Sequence, residues 1–294
     1  MGEGLPARSY LKKASKLTTD ALRRSIRWPV PDLASHRNQL RSEASRSVLA
    51  ELLEKRQLLA ADLTPIVGAI SSPGEVDRYV FSVSEAKKVY LDSETSQANL
   101  QWSLLGPNGQ EIDHRRFDST DGVSASSPPV YDLVSGDYAL SVSGQADAVG
   151  SYQFRLLDLA NAPALSSGQA VSGTLDPGNE TDAYKLDVVA GDKFYFDVLS
   201  STGSSNVKTQ LLDPYGRRVW QGSLSSDIDT QVLGYTGTYT LLIEGYYGAT
   251  SPASYSFNMQ RVTDTTAPIA LGNTANGALT QAGQQNNYTF SLTQ

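Results

Sequence analysis

The chain contains no cysteine. Disulfide staples, thiolate metal sites and cysteine nucleophiles are therefore excluded. Histidine is nearly as scarce: His36 and His114 are the two, too few for a histidine-built metal centre. No apolar run reaches the ~20 residues of a membrane-spanning helix. What remains is a chain of 294 residues, long enough for two ordinary domains, with 24 glycines and 15 tyrosines.

The net charge of -7 conceals an asymmetry. Residues 1–60 hold 12 Lys/Arg against 6 Asp/Glu, whereas residues 61–294 hold 12 against 25. A basic leader thus precedes an acidic body. In the leader, Trp28-Pro29-Val30-Pro31 breaks any helix, because proline lacks an amide donor and restricts its predecessor. From about Ser42 the pattern predicts a helix, with Val48, Leu49, Leu52, Leu53 and Leu59 near one face. Basic charge alone gives only salt-sensitive, sequence-independent attraction to nucleic acid. No recognition motif accompanies it, so we read a largely disordered, partly helical leader over 1–62 and no nucleic-acid partner. The segment Leu53-Glu54-Lys55-Arg56-Gln57-Leu58-Leu59 resembles the LEPRxLL-type motif found ahead of large exported bacterial proteins, with Lys55 where that motif has proline. The resemblance implies an extracellular or cell-surface destination.

The body repeats. Gly68, Gly173 and Gly277 recur at spacings of 105 and 104, each before a polar turn and a strand: Asp77-Arg78-Tyr79-Val80-Phe81, Asp182-Ala183-Tyr184-Lys185-Leu186, and Asn286-Asn287-Tyr288-Thr289-Phe290. Further blocks answer one another in the same order. Lys88–Asp92 matches Lys193–Asp197, Leu104–Gly109 matches Leu211–Gly216, Gly136–Val142 matches Gly237–Ile243, and Tyr152–Phe154 matches Tyr255–Phe257. The blocks alternate: Tyr138, Leu140 and Val142 fall on one face of a strand, as do Tyr239, Leu241 and Ile243. Short alternating strands between Gly/Pro/Asn/Asp turns predict an all-β chain of tandem antiparallel β-sandwiches. We place one sandwich at 63–161, a second at 162–264 and the start of a third at 265–294, the chain continuing into further domains. Pro163 and Pro268 mark short, semi-stiff linkers. In the first unit alone, Leu133–Tyr138 has the spacing of a tyrosine corner, a phenol bonded back to the backbone.

This order of blocks resembles the bacterial pre-peptidase C-terminal domain, whose pattern runs Gly-x-Leu, Asp-x-Tyr-x-Phe, Leu-x-Asp-Pro-x-Gly, Gly-x-Tyr-x-Leu-x-Val and Tyr-x-Phe. The second repeat matches through Gly173, Asp182, Tyr184, Asp213, Pro214, Gly216, Gly237, Tyr239, Tyr255 and Phe257; in the first, Gly106 replaces the aspartate before proline. The resemblance implies a jelly-roll-like, non-catalytic sandwich, found on secreted peptidases and in large surface proteins. Some relatives hold calcium near the turn before the Asp-x-Tyr strand and contact matrix or polysaccharide.

Two places are candidate sites. The turn Asp176-Pro177-Gly178-Asn179-Glu180-Thr181-Asp182 offers Asp176, Asn179, Glu180 and Asp182 as oxygen donors, the chemistry calcium prefers. The alternative is a plain capping turn, in which Asp77 and Asp182 bond backbone amides at a strand start. Tyr246 and Tyr247, in a glycine-bounded turn, offer flat area for a sugar or a protein partner, or else fill the end of the sandwich. No residue set points to catalysis. A Ser/His/Asp arrangement needs a histidine beside a nucleophile motif, and neither His36 nor His114 has one. The function expected is a non-catalytic binding or spacer module of a large exported protein, with polysaccharide or extracellular matrix protein as partner. The alternative is an accessory region of a secreted peptidase or other hydrolase whose catalytic domain lies outside this chain.

Overall fold

The computed structural model describes residues 56–57 (backbone only), 65–121, 130–203 and 206–292. All of them belong to one unit, Glu51–Gln294. Eight strands build the first sandwich: β2 (Ile66–Ile70), β3 (Val76–Val83), β4 (Lys87–Ser93), β5 (Leu100–Gly106), β6 (Gly109–Arg116), β7 (Val130–Leu133), β8 (Gly136–Gly144) and β9 (Gly150–Asp158). Eight more build the second: β10 (Ala170–Leu175), β11 (Thr181–Val188), β12 (Lys193–Thr202), β13 (Val207–Leu212), β14 (Arg218–Ser223), β15 (Ile228–Val232), β16 (Gly237–Gly245) and β17 (Ala253–Val262). The sheets run β2-β9-β4-β7 and β3-β8-β5-β6 in the first, and β10-β17-β12-β15 and β11-β16-β13-β14 in the second. Counted within each unit, both give 1-8-3-6 and 2-7-4-5, the strand order of a jelly roll.

Each sandwich has its own apolar interior, fed by the inward positions of both sheets. Tyr79, Trp102, Leu140 and Phe154 fill the first; Leu186, Phe196, Leu241 and Phe257 fill the second. Burying one such side chain is worth about 1.5–3 kcal/mol, so these alternating positions dominate the stability of each unit. The repeated glycines follow from packing. A Cβ on Gly68 would lie 2.3 Å from the Tyr152 hydroxyl oxygen, and one on Gly173 2.4 Å from that of Tyr255. Gly136 and Gly237 take φ of +148° and +145° with the rings of Pro107 and Pro214 against them, which ties each Pro-containing turn to the start of β8 or β16. The tyrosine corner is present in the first unit, where the Tyr138 hydroxyl donates to the Val134 carbonyl (3.0 Å). In the second, the Tyr239 hydroxyl instead accepts from the Tyr235 N–H (3.1 Å).

The segments ahead of the repeats are not simple linkers. The Lys185 N–H donates to the Pro163 carbonyl (2.9 Å) and the Leu165 N–H to the Lys185 carbonyl (2.8 Å), a parallel bridge on the free edge of β11. Likewise β18 (Thr265–Pro268) runs parallel to β19 (Asn286–Thr289), the strand that answers β3 and β11 in the third repeat. Ahead of the first repeat, β1 (Arg56–Gln57) pairs in parallel with Tyr79 and Val80 of β3. A strand therefore stands at Arg56–Gln57, where the apolar spacing predicts a helix; the open edge of β3 supplies unpaired backbone groups that extended chain can satisfy. The rest of the leader, with the remainder of the LEPRxLL-like segment, lies outside the described residues.

Candidate functional site

The two sandwiches meet face to face, the outer side of β2-β9-β4-β7 on the outer side of β11-β16-β13-β14. The period of two that sends Val89 and Leu91 inward sends Tyr90 and Asp92 outward from β4, and Arg155 and Leu157 outward from β9. Opposite them stand Thr181 and Ala183 of β11, Gln210 and Leu212 of β13, and Leu242 and Glu244 of β16. The middle of this seam is apolar: Tyr90, Leu157, Leu159, Leu212 and Leu242, with Val130 and Ala183 against them.

One end of the seam is ionic and buried. The Arg155 guanidinium donates to Asp92 Oδ2 from Nε (2.8 Å) and Nη2 (2.6 Å), and to the Thr181 carbonyl from Nη2 (2.7 Å). It also forms ion pairs with Glu94 Oε1 (2.9 Å) and Glu180 Oε1 (2.7 Å). Asp92 Oδ2 in turn accepts from the Thr181 N–H (3.2 Å). A single cation of the first sandwich thus holds two carboxylates of its own unit and a carboxylate and a carbonyl of the second. Burial lifts the Asp92 carboxyl to about 7, against the pull of Arg155. Burial likewise raises Glu94, Glu180 and Asp182. Nearby, the Tyr90 hydroxyl donates across the seam to the Glu244 carboxylate, which also accepts from the Gln210 amide of its own sheet. Beside the junction, a hollow of about 310 Å³ is lined by Leu157, Asn161, Pro163, Asp182 and Tyr184, among others.

The residues singled out from sequence gather at this same end. Asn179 is buried and its amide donates to the Tyr247 carbonyl (3.3 Å), while the Gly245 N–H donates to the Glu180 carbonyl (3.1 Å). So the turn 176–182 and the loop holding Tyr246 and Tyr247 pack on each other. Glu180 Oε2 accepts from the Asp176 N–H (2.7 Å) and its other oxygen faces Arg155. Asp182 accepts from the Tyr255 hydroxyl (2.6 Å), which also meets the Tyr184 hydroxyl (2.5 Å). The first unit repeats this pattern: Glu75 caps the Ser71 and Ser72 N–H groups, and Asp77 accepts from Tyr152, which meets Tyr79. It is the glutamates that cap these turns, while Asp77 and Asp182 take phenols. Among the described residues no group of three or more His, Asp or Glu is arranged to hold a metal ion. The Tyr246 and Tyr247 rings lie 4.3 Å apart at 52° and shield each other, with Tyr246 38% exposed.

Arg155, Asp92, Glu94, Tyr90, Gln210 and Glu244 carry the seam, and no motif marks them. Tyr90 and Asp92 recur as Tyr195 and Asp197, so for Arg155 and Glu244, and for Leu242 beside them, the signal lies in the difference between repeats. Arg155 answers Asn258, Leu242 answers Ser141 and Glu244 answers Ser143, all at outward positions where the blocks otherwise agree inward.

No protein-family model matches the chain, and no curated protein matches it. Solved structures with some likeness include the periplasmic inhibitor of g-type lysozyme from Aeromonas hydrophila (16% identity, 34% of this chain and 96% of that one, TM-score 0.28). Another is the Salmonella Typhimurium inhibitor of g-type lysozyme (20%, 34% and 97%, 0.28). A third is the CUB1-EGF-CUB2 segment of human MASP-1/3 (8%, 66% and 99%, 0.20). Among the described residues no helix is long and apolar enough to cross a membrane.

Proposed function

We propose that the two sandwiches act as one non-catalytic binding or spacer unit of an exported bacterial protein, of the pre-peptidase C-terminal type, working outside the cell. The observation that supports this reading is the use made of the buried ionisable groups. Arg155, Asp92, Glu94 and Glu180 are bound to one another across the seam, where they join two modules rather than face a substrate. A unit so joined keeps its ends at a set separation, which suits presentation of a surface to polysaccharide or to a matrix protein. The experiment is solid-phase binding of the purified chain to insoluble cell-wall polysaccharides and to matrix proteins, run beside general peptidase and glycosidase assays. Retention on one ligand class without turnover is the expected outcome. Hydrolysis that survives repurification would overturn the reading.

A further inference from the structure

Asp121 is fully shielded from solvent, and among the described residues no side chain donates to either of its carboxylate oxygens; the backbone N–H groups of Asp121 and Ser93 are its polar neighbours. It cannot swing out easily, because the preceding residue is clamped. The Thr120 hydroxyl donates to the Arg116 carbonyl (2.7 Å) and accepts from Trp102 Nε1 (2.9 Å) at the wall of the first core. The charged groups that face Asp121 are carboxylates: Asp92 of β4, whose Oδ1 also lacks a partner, and Glu244 of β16 across the seam. Tyr90 lies between the same strands and donates to Glu244. Arg155, the cation of the seam, is already shared among Asp92, Glu94 and Glu180, and Arg115 is spent on the Ser119 and Thr120 carbonyls (3.2 and 3.1 Å). The residues that follow, Gly-Val-Ser-Ala-Ser-Ser-Pro-Pro at 122–129, bring no ionisable side chain.

A buried carboxylate that meets two backbone amides and two further carboxylates but no cation is too costly to keep its charge, and the available remedy is a proton. We propose that Asp121 is held as the neutral acid at neutral pH, so that closure of the seam is linked to proton uptake. The seam tightens as pH falls and loosens as pH rises. Burial, with Glu244 and Asp92 adding to it, pushes the Asp121 carboxyl well up. The sign follows: the native chain keeps a proton that the unfolded chain releases near the usual ~3.9, so stability declines as pH climbs above that value.

The test compares the intact chain with Asp121→Asn by thermal unfolding and small-angle scattering at pH 5 and pH 8.5. The wild type is expected to lose about 4 °C or more in Tm over that range, with a larger radius of gyration at pH 8.5. Asp121→Asn, an amide with the shape of the neutral acid, shows a smaller change in both, the remainder coming from Asp92, which is itself lifted to about 7. An unchanged pH response in the variant would overturn the proposal. So would a wild-type Tm at pH 8.5 that rises with calcium and falls with chelator, which would assign the compensating charge to a cation. Should the variant fail to fold, infrared spectroscopy of the wild type decides: a protonated carboxyl band at pH 7, lost on unfolding, is required, and its absence refutes the idea.

Discussion

Strands β8 and β16 occupy the same place in the two sandwiches and share the pattern Gly-x-Tyr-x-Leu-x-hydrophobic. Yet β8 alternates buried and half-buried residues, while β16 is buried continuously from Tyr239 to Gly245. Their inward residues match: Tyr138, Leu140 and Val142 against Tyr239, Leu241 and Ile243. Their outward residues do not: Ala139, Ser141 and Ser143 against Thr240, Leu242 and Glu244. The inward set makes a sandwich, a need common to both copies. The outward set records what each copy touches next, and only β16 has the other sandwich pressed on it. On the opposite faces only Arg155 diverges, its counterpart being Asn258; Tyr90 and Asp92 recur as Tyr195 and Asp197 and differ in what they meet, the first pair facing the other sandwich.

Exchanging residues between equivalent positions sharpens that contrast. The largest effect is expected at Arg155. Arg155→Met leaves two buried carboxylates, Asp92 and Glu94, and the half-buried Glu180 without their cation and should cost about 3–5 kcal/mol in denaturant unfolding. Asn258→Ala, at the matching site, should stay within about 0.5 kcal/mol. Next comes Leu242→Ala, expected to cost about 2–5 kcal/mol as a cavity in the apolar middle of the seam, against a near-neutral Ser141→Ala. An equal response at the two positions in either pair would break the comparison. Tyr152→Phe and Tyr255→Phe probe what the copies have in common. Each strips the phenol from a half-buried aspartate, Asp77 or Asp182, and should cost about 1–3 kcal/mol, alike in both units. The smallest effect concerns a charge-swapped pair. Lys87 with Asp158 in the first unit (2.5 Å) corresponds to Asp192 with Arg261 in the second (2.5 Å). Lys87→Asp alone should lower the Tm slightly, and Lys87→Asp with Asp158→Arg should restore it.

The alternation of β3, β8, β11 and β16, the glycines at the Pro turns and the corner tyrosine Tyr138 were legible in sequence, because each answers a local demand of a half-buried strand or a tight turn. The turn 176–182 was legible as a polar site, but not its use. Capping by Glu180 and the phenol on Asp182 both depend on groups brought in from elsewhere, Tyr255 being 73 residues away. Pro163 and Pro268 read as linker signals, since proline removes one amide from any ladder. The Pro163 carbonyl and the Leu165 N–H still pair with Lys185, and the Thr265 and Ile269 N–H groups with the Gln285 and Thr289 carbonyls, so the free edges of β11 and β19 recruit both segments.

Period and turn chemistry, written over stretches of five to ten residues, were enough to specify two alike all-β units, because burial on one face of a strand imposes a pattern of two. Which outer faces would then be covered was a matter for the assembled structure. An outward Leu242 or Arg155 reads as a surface residue until the other sandwich arrives, and partners 26 residues apart (Arg155 to Thr181) or 154 apart (Tyr90 to Glu244) leave no periodic trace in the chain.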